Sequence, residues 1–198
     1  MPPPLSPRTK KYKNCCNLFV KPDRIQQAVQ HIAKGGIVAY PTEGVFGLGC
    51  DPCNVKAVKH LLRIKRRPAS KGLILIASDP EQLKPFVETI PAKALATWPG
   101  PVTWILPARS STPRWLTGKH DSIAVRVTAH PIAAALCKAY GGALVSTSAN
   151  RSGQQPALTF RDACRRFNTQ EVLVIPGQVQ TPNRPSTIMD GKSDYRLR

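Results

Sequence analysis

Acidic side chains are scarce in this sequence of 198 residues: 11 Asp plus Glu stand against 29 Lys plus Arg, a formal net charge of +18. That shortage excludes a charge-balanced surface and leaves a field that attracts polyanions, nucleic acid first among them, although a solubilising surface has the same composition. Five of the cations (Arg8, Lys10, Lys11, Lys13 and Lys21) lie in residues 1–22, which hold no acid, but the rest of the chain is basic too. No apolar run approaches the roughly 20 residues of a membrane-spanning helix, so no membrane association is expected. The opening "MPPPLSPRTKKYKNCC" has no apolar signal region, and its prolines break the amphipathic helix of a transit peptide. The expectation is a cytoplasmic protein with a disordered basic tail over residues 1–17 and one domain over 18–198.

Other features are missing as well. The six cysteines make no secreted disulfide framework: Cys15-Cys16 and Cys50-Cys53 form close pairs, with Cys137 and Cys164 alone. "CDPC" has no second C-x-x-C or nearby Cys/His pair to complete a zinc site, and no metal ligands are expected. Of the four histidines (His31, His60, His120 and His130), none sits in a Ser-His-Asp or Cys-His arrangement, so no general base is assigned. A G-x-G-x-x-G fingerprint and a Walker sequence are both absent, so a nucleotide would be held by other means. Internal repeats are absent too, and the length suits one domain that buries its own core.

What is present alternates between helix and strand. "PDRIQQAVQHIAKGG" places Ile25, Ala28, Val29, Ile32 and Ala33 at helical spacing before a Gly35-Gly36 stop. "IVAY" and "VFGLGCD" read as strands around the turn Pro41-Thr42-Glu43-Gly44. Asn54 caps a helix carrying Val55, Val58, Leu61 and Leu62, which must end near Pro68. "GLILIA" is a strand; "DPEQLKPF" reads as a helix with Asp79 as cap and Gln82 as capping-box partner; "PAKALATW" reads as a short helix. "VTWILPA", "SIAVRVT", "ALVSTS" and "VLVIPG" follow as strands, with helices at "PIAAALCKAY" and "FRDACRRF". The pattern is that of one α/β domain on a twisted, mixed or parallel sheet.

Three clusters carry chemistry. "LVSTSAN" ends a strand in Ser146, Thr147, Ser148 and Asn150, small donors that suit a phosphate nest and equally suit a turn. In "KRRP", an extended helix exit would turn Lys65 and Arg67 to one side and Arg66 to the other. Two converging cations would grip a polyphosphate, or would simply complement the helix dipole. In "YPTEGVFGLGCD", Thr42 stands at a strand end beside glycines that admit a ligand to the backbone. Glu43 there could be a base, a metal-associated carboxylate or, the preferred reading, a turn residue.

"PTEGVFGLGCD", "KRRPASKGLILIA", "WPGPVTWILPA", "TPRWLTGKHDSIAVRV", "LVSTSANRSG" and "RPSTI" occur in this order. The order resembles the YrdC-like threonylcarbamoyl-AMP synthase family over about residues 22–190, in its short, single-domain bacterial form. The resemblance implies an α/β fold whose sheet encloses a large basic cavity. It also implies synthesis of threonylcarbamoyl-adenylate and pyrophosphate from L-threonine, bicarbonate and ATP, with Mg2+ carried on the ATP. Partner proteins then transfer the threonylcarbamoyl group to tRNA. By the same resemblance Lys65 and Arg67 match a K-x-R motif and Ser148 with Asn150 an S-x-N motif for the ATP phosphates and adenylate, joined by Ser146, Arg184 and Ser186; Lys65 and Arg67 are the catalytic pair. Thr42, Thr103 and Arg126 match threonine- or cavity-lining positions, with Arg126 as a mere surface strand residue the alternative. Gly44 stands where many relatives have Thr or Ala, and Ser70 and Gly72 where longer relatives carry His and Pro. A non-catalytic binder of structured RNA, tRNA or double-stranded RNA, is the competing function.

Overall fold

All seven extended segments become strands. The computed structural model describes residues 22–167, 170–182, 186–193 and 195–197; the expected tail, Cys15, Cys16 and Arg184 lie outside the described residues. The strands are β1 (Ile37–Pro41), β2 (Phe46–Gly49), β3 (Ile74–Ala77), β4 (Val102–Pro107), β5 (Ser122–Val127), β6 (Leu144–Ser148) and β7 (Val172–Val174), with an unexpected edge strand β8 (Thr187–Asp190). They form one sheet in the order β7-β1-β2-β6-β3-β5-β4-β8. The sheet is mixed. The pairs β1–β7, β3–β5 and β4–β8 are parallel, and β1–β2, β2–β6, β3–β6 and β4–β5 are antiparallel. The short turn after β1 returns the chain antiparallel, whereas parallel neighbours need long crossovers.

Four helices of two turns or more pack on the sheet: α1 (Pro22–Ala33), α2 (Val55–Lys65), α5 (Pro131–Tyr140) and α6 (Phe160–Phe167). Two single turns, α3 (Ala92–Leu95) and α4 (Arg114–Thr117), lie between them. Asn54 caps α2 as expected, accepting from the amides of Lys56 and Ala57, each at 3.1 Å. The helix expected over "DPEQLKPF" is only a tight turn over Pro80–Leu83. Asp79 caps it, but Gln82 accepts from the Ser78 amide instead of closing a capping box. Pro85 offers no N–H to continue the ladder.

Two-residue alternation sorts the sheet into two faces. One carries Ile37, Ala39, Phe46, Leu48, Leu75, Trp104, Val125, Val127 and Val145 against Ala57, Val58, Leu61 and Leu62 of α2. On the other, Val38, Tyr40, Ile76 and Leu144 pack under α1 (Ile25, Ala28, Ile32) and α5 (Ile132, Ala133, Leu136, Cys137). This second core stops short. Beyond Leu144 the same face continues through Ser146 and Ser148, beyond Ile76 through Ala124 and Arg126, and at β4 through Thr103, while Gly47 pairs with Ser148. The stretch beyond the α1–α5 core is where polar residues gather.

The expected extended exit from α2 is replaced by a left-handed turn. Arg66 adopts φ 51°, ψ 44°; its amide bonds Arg63 O at 3.0 Å and the Arg67 amide bonds Leu62 O at 3.0 Å, a Schellman closure. A non-glycine residue there costs roughly 1–2 kcal/mol, against about 0.5–1 kcal/mol of extra unfolded-chain entropy for glycine. Arg66→Gly is therefore expected to stabilise the protein by about 0.5–1 kcal/mol, read as a higher urea midpoint at unchanged slope.

Candidate active site

The turn at Arg66 sends Lys65 inward, leaving it 4% exposed, while Arg66 faces solvent and Arg67 is half-buried. The Lys65 ammonium crosses to the loop after β6, donating to Ser148 O, to Asn150 O at 2.9 Å and to Asn150 Oδ1 at 3.3 Å. The Ser152 amide bonds Lys65 O at 2.8 Å, fastening loop and helix a second time. Asn150 is itself fixed: Oδ1 accepts from the Ser148 hydroxyl, and Nδ2 donates to Arg151 O and Gln154 O. Arg67 Nη2 donates to Gly72 O at 3.0 Å, and its Nε is buried without a partner. Burial and the neighbouring Arg67 charge lower the Lys65 pKa to about 8. Among the described residues no carboxylate pairs with either cation.

Thr42 joins this cluster across Gly47. A Cβ at Gly47 would stand 3.3 Å from both Ser146 Oγ and Thr42 Cγ2, so the glycine leaves a slot between these two residues. The Thr42 hydroxyl donates to Val45 O at 2.7 Å and closes the turn locally.

Glu43 is not a simple turn residue. It is 5% exposed, with Oε2 at 3.3 Å from Arg126 Nη2 and Oε1 accepting from the Thr128 hydroxyl at 2.7 Å and the Ala129 amide at 3.0 Å. Its backbone carbonyl accepts from the Thr181 amide at 2.7 Å and the Thr181 hydroxyl at 3.2 Å. Burial pushes its pKa up, but the Arg126 charge and these hydrogen bonds outweigh burial and hold it below the usual carboxylate range. Arg126, at 8% exposure, is no surface strand residue. The β4–β5 register, Trp104 opposite Val125, puts Thr103 beside it on the same face, and Thr103 Oγ1 lies 3.2 Å from Ser186 Oγ.

Strand order alone puts β1 and β5 far apart, with β2, β6 and β3 between them. The Glu43–Arg126 contact therefore brings the two halves of the sheet together. One chain of contacts runs from Lys65 through Ser148 and Asn150, and another from Thr42-Glu43 through Arg126 to Thr103 and Ser186. Two concavities flank them. One of about 880 Å3 lies between α6 and residues 177–182, with Arg161 and Arg165 on its wall. The other, about 930 Å3, runs along α2 past Lys56, Lys59, Arg63, Arg66 and Arg67.

A family model named Sua5_yciO_yrdC, with the description "Telomere recombination", matches residues 30–197. The chain belongs to the Sua5/YciO/YrdC family. A threonylcarbamoyl-AMP synthase of Halorhodospira halophila is 49% identical over 189 residues, covering 93% of this chain and 99% of its own length. The crystal structure of P. abyssi Sua5 complexed with L-threonine matches with TM-score 0.81 at 33% identity, over 88% of this chain and 53% of that one. E. coli YciO matches with TM-score 0.78 at 27% identity, over 89% and 88%. The chain thus spans about half the Sua5 structure and nearly all of the Halorhodospira relative.

Within this Sua5/YciO/YrdC domain, sequence reasoning overlooked Thr128, Ala129 and Thr181. Their bonds to Glu43 cross 85, 86 and 138 positions of the chain, and no local motif signals a partner so distant. Among the described residues no three His, Cys, Asp or Glu side chains come together as metal ligands, and no helix is long and apolar enough to cross a membrane.

Proposed function

We propose that this protein is a threonylcarbamoyl-AMP synthase, forming threonylcarbamoyl-adenylate and pyrophosphate from L-threonine, bicarbonate and ATP, in the cytoplasm, for transfer by partner proteins to tRNA. The observation that carries the reading is Lys65, a buried ammonium on neutral oxygens with no carboxylate beside it among the described residues. A buried cation without a counter-charge is costly, and a bound phosphate supplies that charge. All three Lys65 donors are spent on protein oxygens, so an arriving phosphate oxygen displaces the longest bond, to Asn150 Oδ1. Lys65 and Arg67 then face the β- and γ-phosphates, and Ser146, Ser148, Asn150, Arg184 and Ser186 hold the adenylate side. Thr42, Thr103 and Arg126 take L-threonine, the unpartnered Arg126 Nε serving its carboxylate.

In the reaction, the threonine amine and bicarbonate give a carbamate and water. A carbamate oxygen attacks the α-phosphorus as the bond to the β-phosphate oxygen breaks, and pyrophosphate leaves. The protein aligns the reactants and neutralises charge that grows on the leaving group. Mg2+ arrives on the ATP phosphates, as the family resemblance implies, and Glu43 is already engaged by Arg126, Thr128 and Ala129. The test is pyrophosphate release: it is expected only when L-threonine and bicarbonate are both present, and release without either one refutes the reading.

Contact with tRNA or another structured RNA belongs on the outer face of α2, where Lys56, Lys59 and Arg63 project at helical spacing along the groove and make no ion pair among the described residues. Lys59→Glu with Arg63→Glu is expected to weaken RNA binding and to reduce its salt slope by about 2, with pyrophosphate release unchanged. Binding as tight and as salt-dependent as that of the unaltered protein removes this face from the proposal.

A further inference from the structure

Glu43 is the only buried acidic residue among the described residues, and the chemistry above gives it no task. It is a poor base, since Arg126, Thr128 and Ala129 all stabilise its ionised form. Packing alone does not account for it either. Apolar side chains of similar volume join strand ends as well as a buried ion pair does, without the desolvation cost. Among the described residues the pair also leaves Glu43 Oε2 and Arg126 Nε buried without a hydrogen-bond partner, the 3.3 Å contact being an ion pair only; the Nε is a donor held in reserve in a protein interior where such groups are normally satisfied.

We propose that Glu43 is a positioning residue for L-threonine capture, fixing Arg126 by one guanidinium nitrogen so that the rest of the guanidinium stays free for the amino-acid carboxylate. Its carboxylate is anchored by Thr128 and Ala129 at the exit of β5. Its carbonyl is anchored by Thr181, on the segment that leads to Ser186. Because both anchors are independent of Arg126, the carboxylate cannot follow the guanidinium if it drifts. A planar fork that must meet a second carboxylate loses its alignment when the first is removed. The inference rests on the assignment of Arg126 to L-threonine, and the variants below separate the two.

The experiment measures L-threonine binding to the full chain by calorimetry, alongside KM for L-threonine and for ATP. Arg126→Ala comes first: if it leaves threonine affinity unchanged, the substrate assignment falls and the positioning role with it. Given a loss there, Glu43→Gln, which retains an acceptor oxygen but not the charge, is expected to raise the threonine Kd and KM about tenfold or more. KM for ATP should stay within about twofold, because the nucleotide contacts lie on other residues. Adding Glu43→Gln to Arg126→Ala should cost nothing further in threonine affinity, as two residues acting through one another require. A Glu43→Gln protein with unchanged threonine affinity, with both KM values raised alike, or with an effect that adds fully to that of Arg126→Ala overturns the proposal. Should Glu43→Gln fail to fold, Thr128→Val decides: it removes one hydrogen bond from the carboxylate and spares the ion pair. A rise of about two- to fivefold in threonine Kd supports positioning, and no rise overturns it.

Discussion

Lys65→Ala is expected to lower threonine- and bicarbonate-dependent pyrophosphate release by about 10²–10³-fold, the usual effect of deleting one preorganised charge-stabilising donor. The ammonium sits at 4% exposure on the Ser148–Asn150 loop, where low dielectric makes its charge count for more than in water. It also holds the loop, so a second readout is needed to separate charge from structure. That readout is pH. Burial and Arg67 lower the folded-state pKa to about 8 from an ordinary 10.5, so the free enzyme loses this cation as pH rises through 8. The rate with limiting ATP should fall on an alkaline limb near pH 8. Lys65→Arg, whose guanidinium does not titrate there, should lack that limb in whatever activity it keeps. The stability sign runs the other way: between pH 8 and 10.5 the unfolded chain binds more protons at this residue than the folded protein, so its contribution to stability rises with pH across that window. A flat rate profile through pH 8, or activity within a few-fold of normal for Lys65→Ala, would remove the lysine from the phosphate site.

Asn150→Asp should lower turnover at fixed ATP by more than about 100-fold without unfolding the protein. The substitution is nearly isosteric and places a carboxylate where Asn150 Oδ1 now stands, 3.3 Å from the Lys65 ammonium. That carboxylate takes the position of the incoming phosphate, neutralises the cation and repels the triphosphate. It also loses the two Nδ2 bonds to Arg151 O and Gln154 O, at a cost of about 1–3 kcal/mol that the new ion pair partly offsets. The prediction is a split: melting temperature within a few degrees of normal, with binding of a non-hydrolysable ATP analogue largely lost by calorimetry. Equal analogue affinity in the two proteins would place the phosphates elsewhere.

Much of the architecture could be read from local pattern. The strands at "IVAY", "GLILIA" and "LVSTS", the Asn54 cap and the Gly141 stop all follow from residues within a few positions of one another, and the structure keeps them. The exceptions have identifiable causes. At "DPEQLKPF" a good cap met a proline six residues on, and the helix did not propagate. β8 is a short edge strand whose pairing with β4 is a matter of tertiary position, since its half-buried residues carry no alternation strong enough to announce it. Lys65 and Arg67 separate from Arg66 as expected, but through a left-handed residue that neither a basic run nor Pro68 specifies.

Glu43 marks the boundary most clearly. By composition it is one acid in a strongly basic chain, and by position a turn residue after a strand-ending proline; its partners at 126, 128, 129 and 181 are invisible at that range. The sequence alone determined most of the helices and seven of the strands, which face of each is apolar, and which small polar and cationic residues end the strands, because those properties depend on side chains a few residues apart. Only the tertiary structure decided that the two halves of one sheet meet through Glu43 and Arg126 and that a lysine is buried without a counter-charge among the described residues. Burial and long-range pairing set the energy of a charge, and both are properties of the folded whole.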